Sequence, residues 1–137
     1  MVDDVQVERL LRAIIDDLRR LRAEAEAPDG RRADPMWLPG IKYTFITAIE
    51  ACVDVAQHVC SSEGWGPPAN NGDAVVVVGR HGVLDPALAR RVATAVGFRN
   101  VLVHEYVTVD DTVVVGRLQD LSDLEDFVSA VAEWMTV

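Results

Sequence analysis

Residues 84–106 read LDPALARRVATAVGFRNVLVHEY. Leu84-Asp85-Pro86 is a helix start, because an aspartate at N-cap accepts a free N–H and a proline at the first helical position has none to lose. Leu88, Val92, Ala95, Val96, Leu102 and Val103 then recur at helical steps, one apolar stripe running to about residue 106. Arg99 stands inside that stripe, between Val96 and Leu102. An unpaired guanidinium on an apolar face is costly, so this strip is expected to face a polar cleft or a partner subunit. Gly97 weakens the helix by roughly 1 kcal/mol relative to alanine and lets a backbone or ligand come close. The stripe is too broad for a thin monomeric bundle, which predicts a two-fold dimer built partly on this helix.

The same period recurs on either side. Val7, Leu10, Leu11, Ile14, Leu18 and Leu21 make a helix over 4–26, capped by Asp3 or Asp4 and ended by Ala27-Pro28-Asp29-Gly30. After a connection with Pro35, Pro39 and Gly40, a second helix is predicted at about 40–61 on Ile41, Phe45, Ala48, Ile49, Cys52, Ala56 and Val59. Ser61 to Gly72 is loop. The four valines 75–78 favour a strand by propensity. A lone strand leaves its hydrogen bonds unpaired, so a short helix over 73–80 is the expectation. Asp110-Asp111 cap a last helix to about 135. Residues 1–137 thus form a single all-α domain, an antiparallel bundle of about five helices.

Composition bounds the function. Half of the 137 residues are hydrophobic, enough for one packed core. No apolar run nears the roughly 18 residues that span a bilayer, and the acidic Met1-Val2-Asp3-Asp4 does not resemble a signal peptide. A soluble, cytoplasmic protein with no membrane partner is expected. Cys52 and Cys60 fall on one helix, about 12 Å apart and too far to bridge. No histidine or cysteine pair has ligand spacing, so no metal site is expected. Net charge is −9, which opposes wholesale nucleic-acid binding, but residues 108–137 carry −6 of it. Residues 83–107 balance at +1, so a local anion site survives.

Chemistry concentrates in Arg99-Asn100-Val101-Leu102-Val103-His104-Glu105-Tyr106. Asn100 and His104 are i,i+4 neighbours, and Tyr106, seven residues past Arg99, returns to within about 20° of it and shares its helix face. The plainer alternative is an ion pair from Arg99 to Glu105 or to an acid of the last helix. Elsewhere the plain alternatives are favoured. His58 is expected to pair with Asp54 on the surface, His81 to be exposed in a turn, and Trp37 and Trp65 to pack rather than stack on a base. Arg90 and Arg91 are weak candidates to track RNA phosphates.

Arg99 to His104 resembles the Arg-x4–6-His signature of HEPN domains, including the polar residue directly after the arginine. With Tyr106 it resembles the Arg-x4-His-x-Tyr pattern of the HepT toxins. Ile49-Glu50-Ala51-Cys52-Val53-Asp54-Val55-Ala56-Gln57-His58 is similar to that family's second helix, Gly82-Val83-Leu84-Asp85 to its lead into the motif helix, and Asp110-Asp111 to its entry to the last. The resemblance implies a dimeric ribonuclease whose two motif helices share a cleft. It needs neither metal nor cofactor, leaves a 2′,3′-cyclic phosphate, and has a nucleotidyltransferase antitoxin as partner. Arg99 and His104 are then catalytic, Asn100 supporting, and Tyr106 the residue to which the antitoxin transfers AMP.

Two other functions stay open. One is a HEPN module that binds a nucleotide or docks a partner without cutting; the other is a plain helical interaction protein. RNA cleavage separates the first function from the second, and a neighbouring nucleotidyltransferase gene separates it from the third.

Overall fold

Asp3 ends an extended segment, and its carboxylate accepts from the N–H groups of Val5 and Gln6, opening α1 (Asp4–Ala25). A computed structural model describes residues 2–136 of the chain, and every regular element among them is helical. A single turn, α2 (Asp29–Arg32), leads to α3 (Trp37–Glu63). After the loop come α4 (Asn71–Arg80) and α5 (Pro86–His104). Then α6 (Asp111–Gly116), a 3-10 turn over Arg117–Gln119 and α7 (Ser122–Met135) complete the bundle. None of these helices is long and apolar enough to cross a membrane.

Helix α3 is the axis. It buries Trp37, Ile41, Phe45, Ala48, Ile49, Cys52, Val55, Ala56 and Val59 among others, apolar almost all round, as a central helix must be. α1 lies along it, α4 and α5 pack on it as a pair, and α7 closes against α1 and α5. The α1–α3 seam has polar ties at its rim, where Thr47 Oγ1 donates to Asp17 at 2.6 Å. His58 closes one end of that seam: its Nε2 accepts from the backbone N–H of Asp3 at 3.1 Å, in place of the expected pairing with Asp54.

Several boundaries differ from the sequence expectation, among them the end of α3, which runs to Glu63 into the expected loop. α3 begins at Trp37, not at about residue 40, because Pro39 sits in the first turn, where no N–H has an intrahelical partner to lose. The helix expected over 73–80 is there and starts at Asn71. Asn70 Oδ1 accepts from Asp73 N, Asp73 Oδ2 accepts from Ala69 N, and Ala74, Val75, Val77 and Val78 are buried at helical spacing. α5 stops at His104, two residues short of the expected end.

The helix expected over 110–135 is broken. Asp120 is extended, and its Oδ1 accepts from both the N–H and the hydroxyl of Ser122, at 3.0 and 2.6 Å. An aspartate that satisfies the next backbone N–H groups with its own side chain competes with the helix and starts a new one. The redirection lets Val114 and Leu118 on one side, and Leu124, Phe127 and Val131 on the other, all reach the core. The bundle therefore has seven α-helices among the described residues rather than about five.

α4 and α5 cross closely at Gly79, where an added Cβ would stand 2.6 Å from the Cβ of Ala89. That atom is fixed to the α5 backbone, so the helices themselves must separate. Gly79→Ala should therefore lower the unfolding free energy in urea by about 1–3 kcal/mol in spite of its better helix propensity. At Gly97 an added Cβ meets nothing within 4 Å, so Gly97→Ala should leave the isolated chain as stable or more so by up to about 1 kcal/mol.

Candidate active site

Arg99 is oriented by the stripe it interrupts. Val92, Ala95, Val96 and Leu102 are buried toward the bundle, which turns the arginine toward α3 with only 17% of its side chain exposed. There its Nη2 meets Glu50 Oε2 at 2.5 Å, while Nη1 donates to the side-chain oxygen of its neighbour Asn100 at 2.9 Å. The buried Nε has no protein partner. The arginine thus faces an acid of α3, not Glu105 or the last helix.

Asp54, one turn along from Glu50, shares this acidic edge. Partial burial, reinforced by the Glu50 carboxylate, raises its pKa above the ordinary value, and Arg99 pulls it back. Asn100 is exposed and bonded to Arg99. His104 is the last residue of α5 and is exposed.

Tyr106 lies beyond the helix. Glu105 leaves helical geometry at φ −126, ψ 36, and residues 105–108 form turns closed by Thr108 N and Val109 N onto Glu105 O. The expectation that Tyr106 shares a helix face with Arg99 therefore fails, since no helical period carries past His104. Lys42 of α3 holds Tyr106 instead, with its ammonium 4.4 Å from the ring centroid and 3.4 Å from the Tyr106 carbonyl oxygen.

Glu50 and Lys42 are the two residues that the sequence reading passed over. Lys42 lies seven residues before Ile49, within about 20° of it on the helix, so a cation on the apolar stripe was visible there. Glu50 stood in the very segment that resembles the family's second helix, but only packing could pair it with Arg99.

On its other flank α5 borders a groove of about 450 Å³ lined by Gly97, Phe98, Val101, Glu105, Val113 and Arg117, among others. Arg117 stacks over Phe98 at 5.0 Å. Around the end of α5, Val103, Val107 and Val113 are 42%, 93% and 49% exposed. No group of three or more histidine, cysteine or acidic residues is placed to hold a metal among the described residues.

Most of the remaining residues have structural duties. Burial pushes the thiols of Cys52 and Cys60 up, and both are free. Arg91 reaches Asp123 and Asp126. Trp37 donates to Glu24 at 2.6 Å beneath the Arg32 guanidinium. His81, exposed as expected, stacks on Trp65 with centroids 4.1 Å apart.

Residues 11–131 match the family described as ribonuclease HepT-like. The chain belongs to that family. In sequence the chain is 29% identical over 83 residues to the mRNA nuclease HepT of Shewanella oneidensis, covering 60% of this chain and 62% of that protein. It is 36% identical over 61 residues to the tRNA nuclease HepT of Aphanizomenon flos-aquae, covering 44% of this chain and 42% of that one. In fold it is similar to the tri-AMPylated HEPN toxin of Shewanella oneidensis, solved in complex with MNT antitoxin. The TM-score is 0.85 at 20% identity, and the match covers 96% of this chain and 98% of the other. The all-helical fold is that of HepT-like HEPN proteins.

The two acids beside Arg99 should respond in opposite directions. Glu50→Gln removes the ion pair and should lower stability by about 1 kcal/mol, modest because the carboxylate is partly exposed. Asp54 has its pKa raised on folding, so its ionisation opposes the fold, and the penalty grows as pH rises through the raised value. Asp54→Asn should therefore melt higher than the parent at neutral pH, with the difference closing as pH falls below the ordinary aspartate value of about 3.9. Melting curves across pH check both.

Proposed function

We propose that this chain is the ribonuclease of a toxin–antitoxin pair, cutting RNA without a metal, and that a nucleotidyltransferase antitoxin silences it by placing AMP on Tyr106. The observation that carries this is the layout at the end of α5. An arginine braced by Glu50 and Asn100 is followed by an exposed histidine at the last helical position. The family gives the reaction class, and the names of the two nuclease relatives give RNA as the substrate class.

In this mechanism His104 takes the proton of the RNA 2′-hydroxyl as that oxygen attacks the adjacent phosphorus. The P–O2′ bond forms, the P–O5′ bond breaks, and the leaving 5′-oxygen receives a proton. The products are a 2′,3′-cyclic phosphate and a 5′-hydroxyl. Arg99 meets the charge gathering on the phosphorane oxygens, and its planar donor fork suits a phosphate. Asn100 keeps the guanidinium aimed. A phosphate arriving at Arg99 competes with Glu50 for the same cation.

The active form is a homodimer. Val101, Val103, Val107 and Val113 leave an apolar surface around the end of the motif helix, of the kind that marks contact sites. A two-fold contact there covers it and brings the two copies of the motif together. In the silencing step the Tyr106 phenol oxygen attacks the α-phosphorus of ATP, pyrophosphate leaves, and the phenolic proton is released. The added phosphodiester carries negative charge and bulk to the mouth of the site, where substrate phosphate is excluded. A second function, a module that binds a nucleotide or partner without cutting, is favoured by one observation: Glu50 already occupies Arg99.

Arg99→Ala and His104→Ala should each reduce RNA cleavage by at least about 10²–10⁴-fold, His104→Ala with melting temperature little changed and Arg99→Ala with a fall no smaller than that of Glu50→Gln, since it removes the same ion pair; EDTA should not inhibit. A His104→Ala protein that cuts as fast as the parent sinks the mechanism, and a parent that binds RNA or nucleotide without cutting establishes the second function. Light scattering at micromolar concentration should give twice the chain mass; a monomer removes the shared cleft. Co-expression with the cognate nucleotidyltransferase should add one or more AMP units, seen by intact mass. Tyr106→Phe should escape the addition and keep most of the cleavage.

A further inference from the structure

Lys42 is the one buried charged residue among the described residues, 6% exposed, in the second turn of α3. An ammonium withdrawn from water is costly unless its charge and its donors are met. Lys42 meets them with three groups that all lie past the end of α5. Its Nζ reaches Asp111 Oδ1 at 3.0 Å and the carbonyl oxygen of Tyr106 at 3.4 Å, and it faces the Tyr106 ring at 4.4 Å from the centroid. Two of the three contacts belong to Tyr106 itself. The third anchors the start of α6, so the turn carrying Tyr106 is pinned from below at two points. Tyr106 stays 41% exposed above this floor, while its neighbour Val107 is 93% exposed and Thr108 is open.

We propose that Lys42 is the positioning residue for Tyr106. It fixes, from another helix, the ring that α5 can no longer orient once its period ends at His104. The inference rests on the proposed role of Tyr106 as the residue that accepts AMP, and it adds the element that presents the acceptor. A cation on a ring face restrains the ring through the attraction of its quadrupole, and the bond to the same residue's carbonyl fixes the backbone beneath it. The phenol is then held in one place relative to the site while the other ring face stays accessible. Group transfer is sensitive to such placement, since a displacement of the order of 1 Å can cost about 10²-fold in rate. Asp111 has the supporting part of keeping Lys42 in position.

The test has two independent arms. In the first, NMR of the intact chain follows the Lys42 ε-methylene protons. They should lie upfield because of the Tyr106 ring current and return to ordinary lysine positions in Tyr106→Leu. Signals that are ordinary in the parent overturn the clamp, whatever the fate of AMP transfer. In the second, the parent, Lys42→Met and Lys42→Arg serve as varied substrates of the cognate nucleotidyltransferase. Lys42→Met should lose about 10–100-fold in kcat with KM for the chain within about twofold, and Lys42→Arg should recover most of the loss. Transfer to Lys42→Met at the parental kcat overturns the proposal. So does a loss confined to KM that tracks a fall in melting temperature, which is the mark of a merely structural ion pair. If the parent itself takes no AMP while its ring-current shift is present, the role assigned to Tyr106 fails and the clamp stands.

Discussion

The structure depends on burying α3. A helix apolar nearly all the way round has no stable existence in water, so α1, α4, α5 and α7 are arranged around it, and each is amphipathic toward it. Full burial of each large aliphatic side chain contributes roughly 1.5–3 kcal/mol, which makes this contact the main favourable term in the fold. Everything polar in the site is positioned by that packing. Glu50 and Asp54 stand on the rim of α3, where its burial ends. Lys42 lies inside the packing and is tolerated only because the chain after α5 brings it a carboxylate and a carbonyl.

α5 carries two loads that conflict. Its stripe must pack on α3, and its polar residues must remain available. The conflict is resolved along the helix axis. The N-terminal half, from Leu88 to Val96, is committed to the core, with α4 brought close enough at Gly79 to touch Ala89. The C-terminal half runs out of core. Leu102 is the last buried residue, Val101 and Val103 are exposed, and the helix ends at His104. Arg99 lies at the changeover, where it is still enclosed but has acids of α3 within reach.

The helix end also explains why the apolar surface and the polar candidates coincide. An element that projects beyond its own core exposes side chains of both kinds, and exposed valines beside an ion-paired arginine are what a contact surface shared by two chains would present. The turn after His104 then returns the chain toward α3 through Lys42 and Asp111. Without that return the segment 105–110 would be held by its own turn hydrogen bonds and by the packing of Val109 against the core.

Local signals determined a good deal of this protein. Apolar periods of three and four residues placed α1, α3 and α5, and the caps Asp3, Asp85 and Asp110 act within a few residues of themselves, so no packing is needed to read them. The spacing from Arg99 to His104 and Tyr106 was legible for the same reason, because it is a property of one segment. Tertiary structure decided the rest. A helical projection assumes that the helix goes on, and it placed Tyr106 wrongly because the core that sustains α5 stops at Leu102. The break at Asp120 was likewise hidden: the apolar period runs through it, and only the need to bring both Leu118 and Leu124 to the core makes Asp120 and Ser122 turn the chain. The partners of Arg99 and Tyr106, Glu50 and Lys42, lie 49 and 64 residues away in sequence. A period along one helix carries no information about which residue of another helix will face it; that is settled by how the helices pack.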